Sequence, residues 1–201
     1  MTNVALLVAF AAAKIFDGKT LEGWEGNLEL WRAQGGAIVG TSPGTKHNEF
    51  LCTREPFGDF ELKATFKVTG DAGRNSGIQL RSKRLDGSTE VVGYQADIGQ
   101  GYWGALYDES RRNKVLIGLS KEASAKIARP DGWNSYVIRA VGPRITLTLN
   151  GKVTADWTET DDSVAREGSI CLQLHSGKPL TATFKNLSLK KLSASTSPSR
   201  P

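Results

Sequence analysis

FELKATFKV, residues 60–68, decides the fold class: Phe60, Leu62, Ala64, Phe66 and Val68 alternate with Glu61, Lys63, Thr65 and Lys67. Successive side chains of a strand point to opposite faces, so this is a strand with one face in a core and one in water. Half-buried alternation of this kind belongs to antiparallel sheets. SYVIRAV (135–141) and RITLTLNGKVTADW (144–157) keep the same period. Asn150-Gly151 divides the latter into a hairpin, because both central positions of the tight turn need positive φ. TATFKNLSLKKL (181–192) supplies a last strand. Turn signals at Asp17-Gly18, Gly35-Gly36, Pro43-Gly44, Asp86-Gly87, Asp131-Gly132, Gly142-Pro143 and Ser176-Gly177, with 22 glycines in all, predict many short strands. The expected architecture is all-β, a two-sheet antiparallel β-sandwich. KEASAKI (121–127) is the one helical turn, and GQGYWGALYDESRRNKVLIG (99–118) reads as a long functional loop.

The 201 residues suit one domain. The formal charge of +5 is spread among interleaved acids, which describes a mixed solvated surface and argues against a nucleic-acid partner. VALLVAFAAA (4–13) is too short to cross a bilayer, so no stable membrane insertion is expected. Its small residues Ala11 and Ala13 favour the remnant of an export signal over an amphipathic strand, which places residues 1–13 outside the mature domain and the protein outside the cytoplasm, periplasmic or extracellular. The domain proper is then 14–192, and SASTSPSRP (193–201) is a disordered tail. With only Cys52 and Cys171 no disulfide framework exists; two packed thiols are preferred to a bridge.

Three strand-like segments carry polar residues on one face: Gln79 and Arg81 in NSGIQLR, Gln95 and Asp97 in GYQADIG, and Gln173 and His175 in CLQLHSG. Ile78, Leu80, Tyr94, Ala96, Leu172 and Leu174 take the other. A surface of amides, guanidinium, carboxylate and imidazole fits a hydroxyl-rich ligand, an oligosaccharide or glycoside. No phosphate-cradling loop or nucleophile elbow is present. His175 reads as a hydrogen-bonding residue in preference to a metal ligand, although a divalent cofactor remains possible through His175, Asp97 and an outer carboxylate. Ordinary glycosidases need two carboxylates flanking the bond, and the strand at 94–98 offers one.

A single base suffices when the sugar carries a ketone at carbon 3, because the ketone acidifies the hydrogen on carbon 2 and allows β-elimination of the glycosidic oxygen. Asp97 or His175 is the candidate base. Arg81, helped by Arg111 or Arg112, is the candidate stabiliser of the enolate, the alternative for Arg81 being an ion pair with Asp97. Asn75, Gln79, Gln95 and Gln173 would read hydroxyls, and Tyr102, Trp103 and Tyr107 would stack on sugar rings unless they serve only loop packing.

Ordered landmarks carry a resemblance over residues 15–192. They run from Ile15-Phe16-Asp17-Gly18-Lys19-Thr20-Leu21-x-Gly23-Trp24 through Gly58-Asp59-Phe60-Glu61-Leu62 and Asn75-Ser76-Gly77-Ile78-x-x-Arg81. Gly93-Tyr94-Gln95-x-Asp97-Ile98, Gly104-Ala105-Leu106-Tyr107-Asp108, Leu149-Asn150-Gly151 and Leu172-Gln173-x-His175 follow. The pattern resembles the 3-keto-disaccharide hydrolase domain family. That resemblance implies a concanavalin A-like jelly roll, export, and action on 3-keto glycosides by hydrolysis or by 1,2-elimination and hydration; a non-catalytic carbohydrate-binding module of the same fold is the alternative. It matches Arg81 and His175 to the arginine and histidine of the family's strands. Many members carry Gly-Tyr-Glu-x-Gln where this chain has Gln95 and Asp97, so the acid sits two residues further along the same face.

Overall fold

The computed structural model describes residues 13–192; the apolar run at 4–12 and the tail at 193–201 lie outside the described residues. Chain order is β1 (Ala13–Lys14), β2 (Trp24–Glu25), β3 (Trp31–Gln34), β4 (Ala37–Ser42), β5 (Glu49–Thr53), β6 (Phe60–Gly70) and β7 (Asn75–Arg84). It continues through β8 (Val91–Gly99), β9 (Leu106–Glu109), β10 (Lys114–Ile117), the five-residue helix α1 (Lys121–Ala125) and β11 (Asn134–Val141). β12 (Arg144–Leu149), β13 (Lys152–Thr158), β14 (Ser169–Leu174) and β15 (Leu180–Lys191) complete it.

Two antiparallel sheets result. One runs β13-β12-β11-β6-β15-β4-β3, with β1 added beside β15; the other runs β10-β9-β8-β7-β14-β5-β2. The alternation of FELKATFKV becomes β6, where Phe60, Leu62 and Phe66 are fully buried against the second sheet. Their partners across the sandwich include Ile78, Leu80, Ala96, Ile98, Leu172 and Leu174, the inward face of β7, β8 and β14. Asn150 (φ 48°) and Gly151 (φ 80°) make the tight turn between β12 and β13.

Two expectations change. The segment 99–118 is not a long loop: after Gly99 closes β8 it folds as a turn at 100–104 followed by the β9–β10 hairpin, closed by Ser110 and Asn113 at positive φ. Cys52 and Cys171 are not free thiols. Sheet pairing places them opposite each other on β5 and β14, and they form a disulfide across a sequence separation of 119 residues. The bridge packs with Phe50 and Val91 in a small apolar cluster separate from the main core.

Candidate functional site

The outward face of the seven-stranded sheet is built in rows. One row reads Tyr107, Gln95, Gln79, Cys171 and Cys52 across β9, β8, β7, β14 and β5. Two residues along, Asp97 pairs with Gly77, and Gln173 follows Cys171 on the same face of β14. The next position holds Asn75 on β7, with His175 just beyond the end of β14. Gln79, Gln95, Asp97 and Gln173 are all buried although they point away from the core, because side chains and loops around the face close over them.

What they leave is a cavity of about 180 Å³ lined by Asn48, Asn75, Gln95, Asp97, Tyr102, Tyr107, Glu109, Gln173 and His175. That is small beside the roughly 300–1,000 Å³ of drug-sized sites and suits a single ring. Both amide atoms of Gln173 and the Oδ1 of Asn75 are buried without a hydrogen-bond partner. Buried polar atoms are nearly always paired, so these orphans mark a place prepared for a polar ligand.

Burial dominates the electrostatics. It pushes the Asp97 carboxyl up to about 8; a hydrogen bond from Gln95 Nε2 (2.7 Å) opposes that rise, and the charge of Glu109 adds to it. Glu109 is itself pushed up to about 7, by burial first and then by the neighbouring charges of Glu90 and Asp108. At neutral pH the cavity therefore holds a largely protonated Asp97. With Oδ1 accepting from Gln95, the proton belongs on Oδ2. His175 Nδ1 lies 2.8 Å from the carbonyl of Ser176. A carbonyl only accepts, so Nδ1 carries a hydrogen, which leaves Nε2 as the nitrogen that can offer a lone pair.

Several expected members are elsewhere. Arg81 sits on a bulge, where the pairing of β7 with both β8 and β14 shifts register, and its φ of 50° turns the side chain away from Gln79 and Asp97. Its guanidinium donates to Gly58 O (3.0 Å), Gly142 O (2.6 Å) and Asp59 (2.9 Å), so neither the enolate role nor the ion pair with Asp97 matches its position. Arg111 and Arg112 pair with Asp108, which points inward, and Arg112 also binds Glu159. Trp103 is buried in the main core and borders a different cavity with Arg74, Gln100 and Lys121. Gln79 lies under the site and not in its lining. Among the described residues no group of three or more His, Cys, Asp and Glu side chains is placed to hold a metal ion; β7 separates the strand of Asp97 from that of His175.

Two lining residues escaped the sequence reading. Glu109 follows Tyr107 at the strand period, a signal hidden because the segment reads as a loop. Asn48 is held by loop contacts alone: it donates to Glu90 and accepts from Ser176 N.

Gly77 carries the floor. A Cβ there would lie 2.3 Å from Gln95 Cδ and 2.6 Å from its Oε1. Gly77→Ala is expected to displace the Gln95 amide, break its bond to Asp97 and weaken ligand binding by up to about tenfold, one hydrogen bond between neutral groups being worth about 0.5–1.5 kcal/mol. Calorimetric titration with a glycoside ligand checks this; unchanged affinity would show that Gln95 relocates without consequence.

No protein curated for function matches the chain. Solved structures do. A candidate glycosyl hydrolase from Parabacteroides distasonis is 20% identical, with 90% of this chain and 100% of that one covered at a TM-score of 0.68. The carbohydrate-binding module CBM66 from Bacillus subtilis is 19% identical, covering 84% and 96%, TM-score 0.64. A β-glucanase from Bacillus licheniformis is 14% identical, covering 95% of both chains, TM-score 0.56. These likenesses establish the fold, a concanavalin A-like sandwich. The sequence itself matches one family model over residues 11–190, nearly its whole length. On that match, and with the ordered landmarks now seen on β7, β8 and β14, the chain belongs to the 3-keto-alpha-glucoside-1,2-lyase-like domain family.

Proposed function

We propose that the cavity beside Asp97 and His175 cleaves 3-keto glycosides by elimination. The observation that carries this reading is the buried, unpartnered Gln173 amide in the same cavity as a protonated acid and an imidazole whose Nε2 is free of the Ser176 contact. His175 Nε2 takes the hydrogen from carbon 2. The electron pair moves to the ketone oxygen at carbon 3, which receives hydrogen bonds from Asp97 Oδ2 and the Gln173 amide. Return of the pair breaks the bond between carbon 1 and the glycosidic oxygen, and Glu109, near half protonated at pH 7, supplies that oxygen with its proton. An enone and a free alcohol result, and water then adds to the enone. The stabilising role expected of Arg81 thus passes to neutral donors. Family membership supports the substrate class, and the Cys52–Cys171 bridge supports export to an oxidising compartment.

Incubation with a 3-keto glucoside and with its unoxidised parent tests the proposal. Aglycone release is expected from the ketone alone, and His175→Gln is expected to slow it by about 10²–10⁴-fold. Release from the parent would remove the keto requirement. Tight binding without release would make the domain a carbohydrate-binding module.

A further inference from the structure

We propose that Ser82, Gln79 and Gln95 form a hydrogen-bonded relay that positions the Asp97 carboxyl for the ligand, which makes Ser82 and Gln79 positioning residues although neither lines the cavity. The chain of contacts is continuous and buried. Ser82 Oγ donates to Gln79 Oε1 (2.8 Å), Gln79 Nε2 donates to Gln95 Oε1 (3.0 Å), and Gln95 Nε2 donates to Asp97 Oδ1 (2.7 Å). Ser82, Gln79, Gln95 and Asp97 are each at most 3% exposed, so water does not compete along it. All three bonds run toward Asp97, the Ser82 hydroxyl also having the Leu80 carbonyl at the longer distance of 3.2 Å. Such a chain polarises its members in one sense, strengthens the last bond and holds Oδ1 as an acceptor.

The backbone makes room for this arrangement at two glycines of the same face. A Cβ on Gly77 would strike Gln95, and one on Gly93 would lie 2.1 Å from Ser82 Oγ. Both omissions clear space for relay members, Gly93 for Ser82 at its start and Gly77 for Gln95 at its last donor. They also explain why the amide of Gln95 reaches Asp97, its neighbour two residues along the same strand.

The groups acting on Asp97 from the surrounding elements are Glu109 and Tyr107 on β9, and Tyr136 on β11, whose hydroxyl donates to the Asp97 carbonyl. Tyr102 and His175 share its cavity. None of these replaces Gln95 as a donor to Oδ1. Breaking the relay upstream leaves Gln95 free to turn, weakens its bond to the carboxylate and raises the proton affinity of Asp97.

The catalytic consequence rests on the function proposed above, but the closing experiment does not. The Asp97 carboxyl is titrated by carbon-13 NMR in the wild type, in Gln79→Met and in Ser82→Ala, its signal assigned by its loss in Asp97→Asn. Folding is checked by the dispersion of the same spectra. The midpoint is expected to rise by about one pH unit in Gln79→Met, a tenfold gain in proton affinity, and by less in Ser82→Ala, at the far end. Gln79→Glu, of equal size, draws the Gln95 amide toward itself and is expected to raise the midpoint further than Met. Unchanged midpoints in folded variants would overturn the relay whatever the substrate proves to be. A failure of 3-keto glycoside cleavage with shifted midpoints would overturn only the proposed reaction.

Discussion

Asp97→Asn is expected to lower kcat for a 3-keto glycoside by about 10²–10³-fold, the usual cost of losing a donor that stabilises a developing oxyanion. The same change is expected to make the protein more stable above pH 8. Asparagine has the shape of a protonated aspartic acid. Its Oδ1 can still accept from Gln95 and its amide can still donate toward a ketone, so KM should move far less than kcat. What is lost is the more acidic O–H donor, whose hydrogen bond strengthens as charge builds on the ketone oxygen. The stability effect follows from linkage. Asp97 has a folded value of about 8 against an ordinary aspartate value of 3.8, so the folded state binds its proton more tightly than the unfolded state. Its contribution is fully present below about pH 4 and is lost as pH rises through 8, an effect on the order of several kcal/mol for so buried a group. Denaturant midpoints at pH 4 and pH 8.5 check this. The wild type should lose stability across that range, whereas Asp97→Asn should retain only the smaller slope due to Glu109, whose folded value is about 7. Parallel curves for the two proteins would mean that Asp97 ionises freely and does not serve as a neutral donor.

The parts of this molecule that were legible in the sequence are those that depend on face parity. Alternation assigns Phe60 to Val68 correctly, and it assigns Gln95, Asp97 and Gln173 to the face opposite Tyr94, Ala96 and Leu172, because parity is a property of a single extended strand. Arg81 shows where parity fails. A bulge inserts one residue, and its position depends on how β7 meets β8 and β14 together. The close approach of Gly168, where a Cβ would lie 2.5 Å from the Arg81 carbonyl carbon, is visible only once β14 has docked. The disulfide is illegible for a related reason: Cys52 and Cys171 face each other through the pairing of β5 with β14, which nothing local encodes. Glu109 was lost to a different error. The glycine, aromatic and charged residues after β8 suggest a loop, yet Leu106 to Glu109 carry the inward-outward alternation of a strand, with Tyr107 and Glu109 facing the site and Leu106 and Asp108 the interior.

Arg81→Met is expected to destabilise the fold by about 3–5 kcal/mol, the cost of removing one partner from a buried ion pair, and to leave turnover per folded molecule unchanged. The Arg81 side chain is 2% exposed and that of Asp59 16%, so solvent does little to screen the pair. Arg81 also carries a left-handed backbone conformation, disfavoured by roughly 1–2 kcal/mol for a residue with a side chain. Three hydrogen bonds offset that cost. They run to Gly58 and Asp59, which lead into β6, and to Gly142, in the turn between β11 and β12. All three partners belong to the opposite sheet, so one guanidinium ties the bulge of the ligand-facing sheet to two connections of the other. Methionine fills the volume but leaves the Asp59 carboxylate, among the described residues, with Gly142 N as its remaining donor at 2.9 Å. Arg81→Met/Asp59→Asn should therefore recover part of the loss, because the stranded charge is gone even though the tie is not restored. Denaturant midpoints of the two variants, with turnover normalised to folded protein, separate the roles. Full stability with abolished turnover would return Arg81 to the reaction; lost stability with intact turnover identifies it as the clamp that holds β7 against the neighbouring sheet, two residues beyond the glutamine that supports Gln95.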